Sequence, residues 1–156
     1  MKKIFLILIA IASVTSGCVK YKEGPCMSRS SVKGKLYGYY NLTTYSVDNA
    51  DSLILFKDYY GTSVEIYYNE VYSYDVLRIV GYRVDGVFID MVCFWELSED
   101  YKIFDIYDSN ANGIYGTGPF KNKTSAWYIL RLTNDDIKMK TNFNNKEYLI
   151  KFENVF

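Results

Sequence analysis

From residue 33 onward the chain consists of short stretches rich in β-branched and aromatic residues, separated by clusters of Asn, Asp, Ser and Gly. Val, Ile, Thr, Tyr and Phe suit the pleated surface of a sheet, and Asn, Asp and Gly suit tight turns. Apolar residues do not recur at helical spacing in this region. The pattern therefore predicts an all-β fold, an antiparallel up-and-down meander of about eight strands that forms a barrel or a tightly curled sheet.

The predicted strands are short, and each is bounded by turn-forming residues. They are Lys35 to Thr43, Leu53 to Phe56, Val64 to Tyr68, Asp75 to Tyr82, Val87 to Leu97, Lys102 to Tyr107, Ala126 to Leu132, Ile137 to Thr141 and Glu147 to Phe152. The predicted turns lie at 48–51, 85–86, 98–100, 134–136 and 144–145. Connections this short indicate that strands adjacent in the sequence pair with one another.

The N-terminus has the organisation of a bacterial lipoprotein signal. Lys2 and Lys3 precede an apolar stretch, Ile4 to Val14, that is too short to span a bilayer as a helix. The next residues, Thr15-Ser16-Gly17-Cys18, resemble a lipobox, in which small residues precede the cysteine that is diacylated after cleavage. We therefore expect residues 1–17 to be removed and Cys18 to carry lipid; in the alternative, an ordinary secretory signal, Cys18 stays a free thiol.

The predicted mature protein has two parts. Residues 18–32 lack periodicity and contain Gly24 and Pro25, so we expect a lipidated tether. Residues 33–156 form the single β-barrel domain. The expected location is the bacterial cell envelope, at the outer membrane, with the lipid as the membrane contact. The mature chain keeps 16 basic and 18 acidic side chains, a balance that argues against nucleic acid as a partner.

The chain contains no histidine, which excludes Ser-His-Asp and Cys-His catalysis and His-ligated zinc or haem. Four carboxylates, those of Glu96, Glu99, Asp100 and Asp105, cluster in one predicted hairpin. A glycosidase needs two carboxylates ~5 to 10 Å apart across a cleft, but acidic residues are also ordinary in turns and on outer faces. We interpret the four as polar surface and expect no enzyme and no cofactor.

One segment resembles a calcium-binding loop. Residues Asp108-Ser109-Asn110-Ala111-Asn112-Gly113 reproduce the first half of an EF-hand loop, but its twelfth position is Pro119 instead of the bidentate glutamate. A polar Asn- and Gly-rich loop explains the sequence better. The sequence therefore predicts no metal site.

Two cysteines follow Cys18. An oxidising envelope compartment would permit a disulfide between Cys26 and Cys93. Cys93 lies between Val92 and Phe94, however, and a buried free thiol fits that setting equally well. Both possibilities stay open from the sequence.

Counting residues through the turns at 134–136 and 144–145 gives the register of the last three strands. Leu132 then faces Ile137, Leu130 faces Met139, and Ile150 faces Met139 from the other side. One face of this unit is continuously apolar, as expected for a sheet half-buried against a core.

The opposite face carries positive charge. Arg131, Lys138 and Lys151 fall in one row across the three strands, and the same count places Trp127 near the end of that face. We call the three basic residues the cationic row. Like charges opposite one another destabilise a sheet, so the row requires solvent or an anion. It is either a solvated face that discourages aggregation, or an anion site in which Trp127 supplies a flat apolar surface.

These features together resemble a known group of proteins. The lipobox, the short tether and the aromatic-rich meander that ends in 127–133 (WYILRLT) and 147–152 (EYLIKF) resemble the small lipocalin-like lipoproteins of Bacteroidetes. The resemblance implies a barrel of about eight antiparallel strands in the cell envelope.

Two functions are compatible with the sequence. The first is the non-catalytic binding of a small apolar or amphipathic ligand, including an anionic one, with Trp127 and the cationic row as binding residues. The alternative is a protein–protein interaction module, such as an inhibitor, immunity factor or accessory subunit, that uses an aromatic outer face. A solvent-reachable apolar cavity of at least ~300 Å³ would favour the first, and a filled core the second.

Overall fold

The computed structural model describes residues 18–24, 26–71, 73–107 and 124–156. Within these ranges there are eleven strands and two short helices. The strands are β1 (Cys18–Lys20), β2 (Cys26–Ser28), β3 (Gly38–Val47), β4 (Ala50–Asp51), β5 (Ser63–Asn69), β6 (Tyr74–Tyr82), β7 (Phe88–Leu97), β8 (Ile103–Tyr107), β9 (Thr124–Leu132), β10 (Asp136–Phe143) and β11 (Lys146–Asn154). The helices are α1 (Arg29–Leu36) and α2 (Leu53–Tyr60).

Eight strands form a closed antiparallel barrel. From β5 to β11 each strand pairs with the next, and β3 pairs with β5 on one side and with β11 on the other. The first residues of β3 lie opposite β5, as in the pair Tyr39 and Glu65, whereas its later residues lie opposite β11, as in the pair Tyr45 and Ile150. The predicted all-β meander is confirmed, and of the two predicted forms it adopts the closed barrel.

The tight turns use the residues that the sequence analysis identified. Asp48 and Asn49 both have positive φ angles, 50° and 66°, and so do Asn144 and Asn145, at 50° and 60°. Asn and Asp tolerate this left-handed backbone better than other residues with a side chain. Consecutive positive φ angles match the twist of a two-residue hairpin, and this fixes the β10–β11 register.

Apolar side chains fill the interior of the barrel. Residues alternate between buried and accessible along the strands, and the buried set forms one cluster. Trp95 stacks on Phe104 with ring centroids 4.6 Å apart. The largest fully buried side chains are those of Tyr21, Leu36, Phe56, Ile66, Leu77, Ile79, Met91, Trp95, Phe104, Trp127 and Phe152. Among the described residues the barrel therefore has a packed core.

Cys93 belongs to this core. It is fully buried and is a free thiol, so the structure contains the second of the two predicted alternatives. Burial raises the pKa of the Cys93 thiol to about 12.

The two ends of the barrel differ. End A carries the β7–β8 and β9–β10 turns, and end B carries the β6–β7 and β10–β11 turns. Helix α1 covers end A through the buried side chains of Val32 and Leu36, and the Tyr40 hydroxyl donates to the Lys35 carbonyl oxygen at 2.9 Å. This helix was not expected, because its apolar stripe is only these two residues, too short for periodicity to detect.

The segment expected to be a tether is folded onto end A. Strands β1 and β2 form an antiparallel pair, which we call the N-terminal hairpin. Val19 and Tyr21 are buried in the core cluster. The described part of residues 18–32, which we expected to form a lipidated tether, is therefore packed against the barrel. Tyr21 and Val19 are separated by Lys20, an alternation too short to distinguish from chance in the sequence.

Residues 53–56 form part of helix α2, not the predicted strand. The apolar run Leu53-Ile54-Leu55-Phe56 is compatible with either structure at this length. Phe56 packs on Tyr45 with ring centroids 4.6 Å apart, and Asp51 Oδ1 accepts the Leu53 N–H at 2.9 Å. Neither described helix has the length and apolar character needed to cross a bilayer.

Candidate functional site

The cationic row exists as the sequence predicted. Lys138 lies directly opposite Arg131 of β9 and directly opposite Lys151 of β11. The three side chains line a surface cavity of about 320 Å³. The other residues that line it are Glu23, Thr44, Asp136 and Leu149.

The chain's own carboxylates neutralise this row. Lys138 Nζ lies 2.6 Å from Glu23 Oε2 of the N-terminal hairpin turn. Arg131 Nε lies 2.9 Å from Asp136 Oδ1, and Lys151 Nζ lies 3.6 Å from Asp136 Oδ2. The mutual repulsion of the row is thus relieved within the molecule.

Asp136 is the central anion of the row and is almost completely buried. Burial alone would raise its pKa, but hydrogen bonds from Thr133 and Arg131 and the charge of Lys151 together hold the pKa of Asp136 below its usual value. Thr133 Oγ1 donates to Asp136 Oδ1 at 2.7 Å. Asp136 is therefore a fixed part of the sheet, whereas the Glu23 carboxylate is more exposed and can exchange with another anion.

Trp127 does not lie on this face, contrary to the prediction. A β-bulge separates Lys138 from Met139 in the β9–β10 pairing, so Met139 faces Ile129 and not Leu130. The extra residue reverses the direction of every side chain before it in β9. Trp127 consequently points into the core, fully buried, and its Nε1 donates to Ser125 Oγ at 3.0 Å.

The bulge brings Tyr128 to the outer face in place of Trp127. Tyr128 is 50% exposed and lies directly opposite Lys140. Lys140 is itself paired with Glu147 at 2.8 Å. Sequence reasoning missed both Tyr128 and the carboxylate partners, since no residue type marks the bulge or the docking of Glu23.

A second surface feature lies at end B. Six large apolar side chains, each between 48% and 85% exposed, stand on α2 and on the β6–β7 hairpin. Helix α2 packs against both strands of that hairpin, and the rings of Tyr82 and Phe88 lie 5.2 Å apart. We call this set the end-B patch; it consists of Ile54, Leu55, Tyr82, Val84, Val87 and Phe88.

The tip of the hairpin in the end-B patch is ordered by its own hydrogen bonds. Arg83 N–H donates to the Val87 carbonyl oxygen, and Gly86 N–H donates to the Arg83 carbonyl oxygen, both at 2.9 Å. Gly86 has a φ of 80°, as the predicted turn at 85–86 requires. The sequence signal for the patch was present: Val84 and Val87 flank a turn, where solvent-exposed positions are normally polar.

Two of the four candidate carboxylates face each other. Glu96 and Asp105 are directly opposite on β7 and β8 and line a cavity of about 340 Å³. Burial, and then the Glu96 charge, raises the pKa of Asp105. Asp100 instead stabilises the turn, because its Oδ1 accepts from Ser98 Oγ at 2.7 Å. That the protein has no catalytic activity stays a prediction.

Several sequence predictions fall outside the described residues. The signal peptide (residues 1–17) and the calcium-loop resemblance (108–113) are in this class. The backbone of Cys18 is described, as the first residue of β1, but its side chain is not. Within the described ranges no group of three or more acidic or cysteine side chains is placed to hold a metal ion, and the absence of a metal stays a prediction.

The chain is similar in fold to two solved structures. One is a lipocalin-like protein from Bacteroides uniformis ATCC 8492, at 11% identity, with a TM-score of 0.48, over 78% of this chain and 99% of that one. The other is an uncharacterized protein from Bacteroides eggerthii DSM 20697, at 13% identity, with a TM-score of 0.41, over 74% of this chain and 98% of that one. No protein-family model matches the chain, and no curated protein matches it.

Proposed function

We propose that this chain is a non-catalytic, lipid-anchored protein of the bacterial cell envelope that recognises another protein through the end-B patch. The observation that carries the proposal is the contrast between the filled interior of the barrel and its exposed surface at end B. The chain's own side chains fill the described interior, whereas six large apolar side chains are exposed at end B, on α2 and on the hairpin against which α2 packs. The surface available to a partner is therefore on the outside of the barrel. This agrees with the second of the two functions inferred from the sequence, a protein–protein interaction module.

The packed interior disfavours a ligand inside the barrel. Trp95, Trp127, Phe104 and Phe152 are all fully buried. Removing one such aromatic ring from a core costs about 3–5 kcal/mol. An interior ligand would have to displace at least one of these rings and restore that energy by its own contacts.

The area and charge of the end-B patch suit a protein partner. Its exposed apolar surface is on the order of 500 Å². One side of a standard protein interface buries about 800 Å², of which just over half is non-polar. Arg83 Nη2 lies 2.9 Å from Asp85 Oδ2, so the charges at the hairpin tip neutralise each other. We therefore infer a partner whose docking surface is largely apolar.

Lipid attachment at Cys18 is the first part of the proposal to test. We expect the parent protein to partition with the membrane fraction, because two or more acyl chains anchor a small domain firmly. Replacing Cys18 with Ser should release it to the soluble fraction. Unchanged membrane association of the Ser variant, in fractionated cells, would refute the anchor.

Site-specific photo-crosslinking in intact cells tests the end-B patch. A photoreactive phenylalanine analogue at Phe88, and separately at Leu55, should give the same discrete protein adduct. The matched control position is Asn142, which is exposed and polar on β10. We expect no such adduct from Asn142, because it lies outside the patch.

A further substitution distinguishes a specific docking surface from non-specific hydrophobic adhesion. Val84→Asp places a charge within the patch without introducing a new contact in the core, since Val84 is 85% exposed. The Phe88 adduct should then disappear while the protein stays folded. An adduct that persists with Val84→Asp, that forms equally from Asn142, or that consists only of lipid would contradict the proposal.

A second candidate function is supported by the cavity at the cationic row. Arg131, Lys138 and Lys151 come from three strands and line one space of about 320 Å³. An anionic group could enter it by displacing the exposed Glu23 carboxylate from Lys138. Tyr128 and Lys140 border this face, so an amphipathic anion is the ligand that this site would fit.

Binding to phosphatidylglycerol vesicles and to polygalacturonate, each measured with the Cys18→Ser protein, tests this second candidate. The double variant Arg131→Ala with Lys138→Ala should bind more weakly, and added salt should weaken binding by the parent through screening over about 8–10 Å. Lys146→Ala, at an exposed position on the opposite end of β11, is the control. If the double variant binds both probes as the parent does, the row is only a solvated, self-neutralised surface.

A further inference from the structure

We propose that end A of the barrel rests directly on the headgroup surface of the membrane that holds the lipid, so that the end-B patch is always turned away from that membrane. The inference rests on the proposed lipidation of Cys18 and goes beyond it, because an anchor alone does not orient a domain. The partner in this contact is the lipid surface itself.

The chain is fixed to the barrel immediately after Cys18. Val19 is 3% exposed and Tyr21 is 2% exposed, and both belong to the core cluster. The Tyr21 hydroxyl donates to the Tyr101 carbonyl oxygen at 3.0 Å. A lipid on Cys18 would therefore emerge one residue away from a buried side chain, with no free linker between acyl chains and fold.

The contacts of the N-terminal hairpin place this exit at end A. Tyr101 belongs to the β7–β8 turn of that end. Glu23 N–H donates to the Leu130 carbonyl oxygen at 2.7 Å, next to the end-A limit of β9, and the Glu23 carboxylate lies 2.6 Å from Lys138 Nζ. Ser28, the partner of Cys18 in the hairpin, leads directly into α1, which covers end A.

The side chains beside the exit suit a headgroup surface. Lys20 and Lys22 alternate with the buried Val19 and Tyr21 and are exposed. Neither forms an ion pair with any described residue, so both charges are available to lipid phosphates. The strands that separate the two ends, such as β6 with its nine residues, span about 20 Å along the barrel axis. End B consequently lies beyond the reach of the headgroups.

The orientation of the domain relative to the membrane can be measured on the lipidated full chain, purified from membranes and placed in vesicles of phosphatidylethanolamine and phosphatidylglycerol. A small fluorescent amino acid is introduced singly at Lys22 or Lys102, near end A, and at Lys146, near end B; all three positions are exposed. Lipids with a nitroxide on the headgroup should quench the two end-A positions at least about threefold more than Lys146, because end B lies about 20 Å further away.

An insertion variant supplies the matched control. A Gly/Ser linker of about ten residues placed between Cys18 and Val19 keeps lipid and fold but lets the domain tumble. Its quenching should be nearly equal at the three positions. Equal quenching in the parent chain as well, or stronger quenching at Lys146, would overturn the orientation while leaving the anchor intact. Mass spectrometry of the purified protein tests the anchor separately from the orientation. If Cys18 carries no lipid, both the anchor and the orientation are refuted.

Discussion

Asp136 and Asp105 are both partly withdrawn from solvent on the barrel wall, yet their surroundings shift the two pKa values in opposite directions. Asp136 has Arg131 and Lys151 beside it, and its pKa is lowered despite burial. Asp105 has Glu96 opposite it, and burial together with that charge raises its pKa. Burial acts to raise the pKa at both positions, and only at Asp136 do hydrogen bonds and nearby cations outweigh it.

We expect Asp136→Asn to destabilise the protein by about 1–3 kcal/mol at neutral pH, because it leaves two cations without their fixed anion. In the parent, the stabilisation due to Asp136 is present above the ordinary aspartate pKa of 3.8 and is lost as pH falls through the lower pKa of the folded state. Urea unfolding at several pH values measures both effects. Asp135→Asn, at an exposed neighbour, should change little; an equal loss there would argue against this role of Asp136.

Asp105→Asn should have the opposite effect. A pKa raised by folding costs stability once pH exceeds the unfolded-state value of 3.8, and the full cost applies above the folded-state pKa. The Asn variant should therefore be more stable than the parent at neutral pH, by less than about 1 kcal/mol because the site is partly exposed. The difference should vanish in acid. Destabilisation of this variant at every pH would show that Asp105 makes an unrecognised favourable contact.

Sequence reasoning located the cationic row but not Trp127, and the bulge explains both results. The register was counted from the turn at 134–136, and Arg131 lies between that turn and the bulge. Trp127 lies beyond it, where one extra residue exchanges the inner and outer faces. Because a bulge depends on how a whole strand pairs with its two neighbours, no local residue pattern predicts it. The docking of Glu23 on Lys138 is equally non-local.

The two helices show the same limit at the level of elements. Both are short, and each is held by a few buried side chains rather than by intrinsic propensity. Helix α2 ends at Tyr60, and the residue that follows it, Gly61, has a φ of 76°. A Cβ added at Gly61 would lie 2.6 Å from Gly81 Cα and from the Val80 carbonyl oxygen. Helix α2 can therefore pack against β6 only because both backbones lack side chains at this crossing.

We expect Gly61→Ala to destabilise the protein by about 2–4 kcal/mol, since it combines an unfavourable φ with a backbone clash. Gly34→Ala is the matched control. Gly34 lies inside α1 with nothing within 4 Å of an added Cβ, so its replacement should be neutral or stabilise by up to about 1 kcal/mol. Thermal unfolding compares the two variants. Similar melting temperatures for both would contradict the close packing of α2 on β6.

At the scale of the whole molecule, the N-terminal hairpin belongs to the same folding unit as the barrel. We expect Tyr21→Ser to lower the free energy of unfolding by about 3–5 kcal/mol, because it removes a buried aromatic ring. Tyr21→Phe should lose only the hydrogen bond to Tyr101, about 1 kcal/mol. Chemical unfolding of the Cys18→Ser protein measures both. A Tyr21→Ser variant as stable as the parent would mean that the hairpin is not part of the cooperative structure.

Alternation along the strands and the short turns were sufficient to predict the all-β class and the antiparallel meander. They did not decide between a closed barrel and a curled sheet, and they could not predict the state of the interior. An eight-stranded barrel is just wide enough either to be filled by its own side chains or to hold one small ligand. The outcome depends on how side chains from distant strands, such as Trp95 on β7 and Phe152 on β11, fill the interior together. Which side chains face one another inside the barrel, and whether their sizes fill it, is decided only when all eight strands are assembled.

The pairing of β3 with β11 also bears on how such a chain would cross a membrane. Thr43 and Lys151, which meet at this seam, are 108 residues apart in the sequence. The seam therefore cannot form until nearly all of the described chain is free on the same side, and contacts between such distant residues form slowly. Until β11 pairs with β3, the sheet formed by the earlier strands has an open edge. For the export that the proposed lipid anchor requires, late closure of this seam would favour a chain that is still unfolded at the secretion channel and that needs protection from aggregation until its last strand pairs.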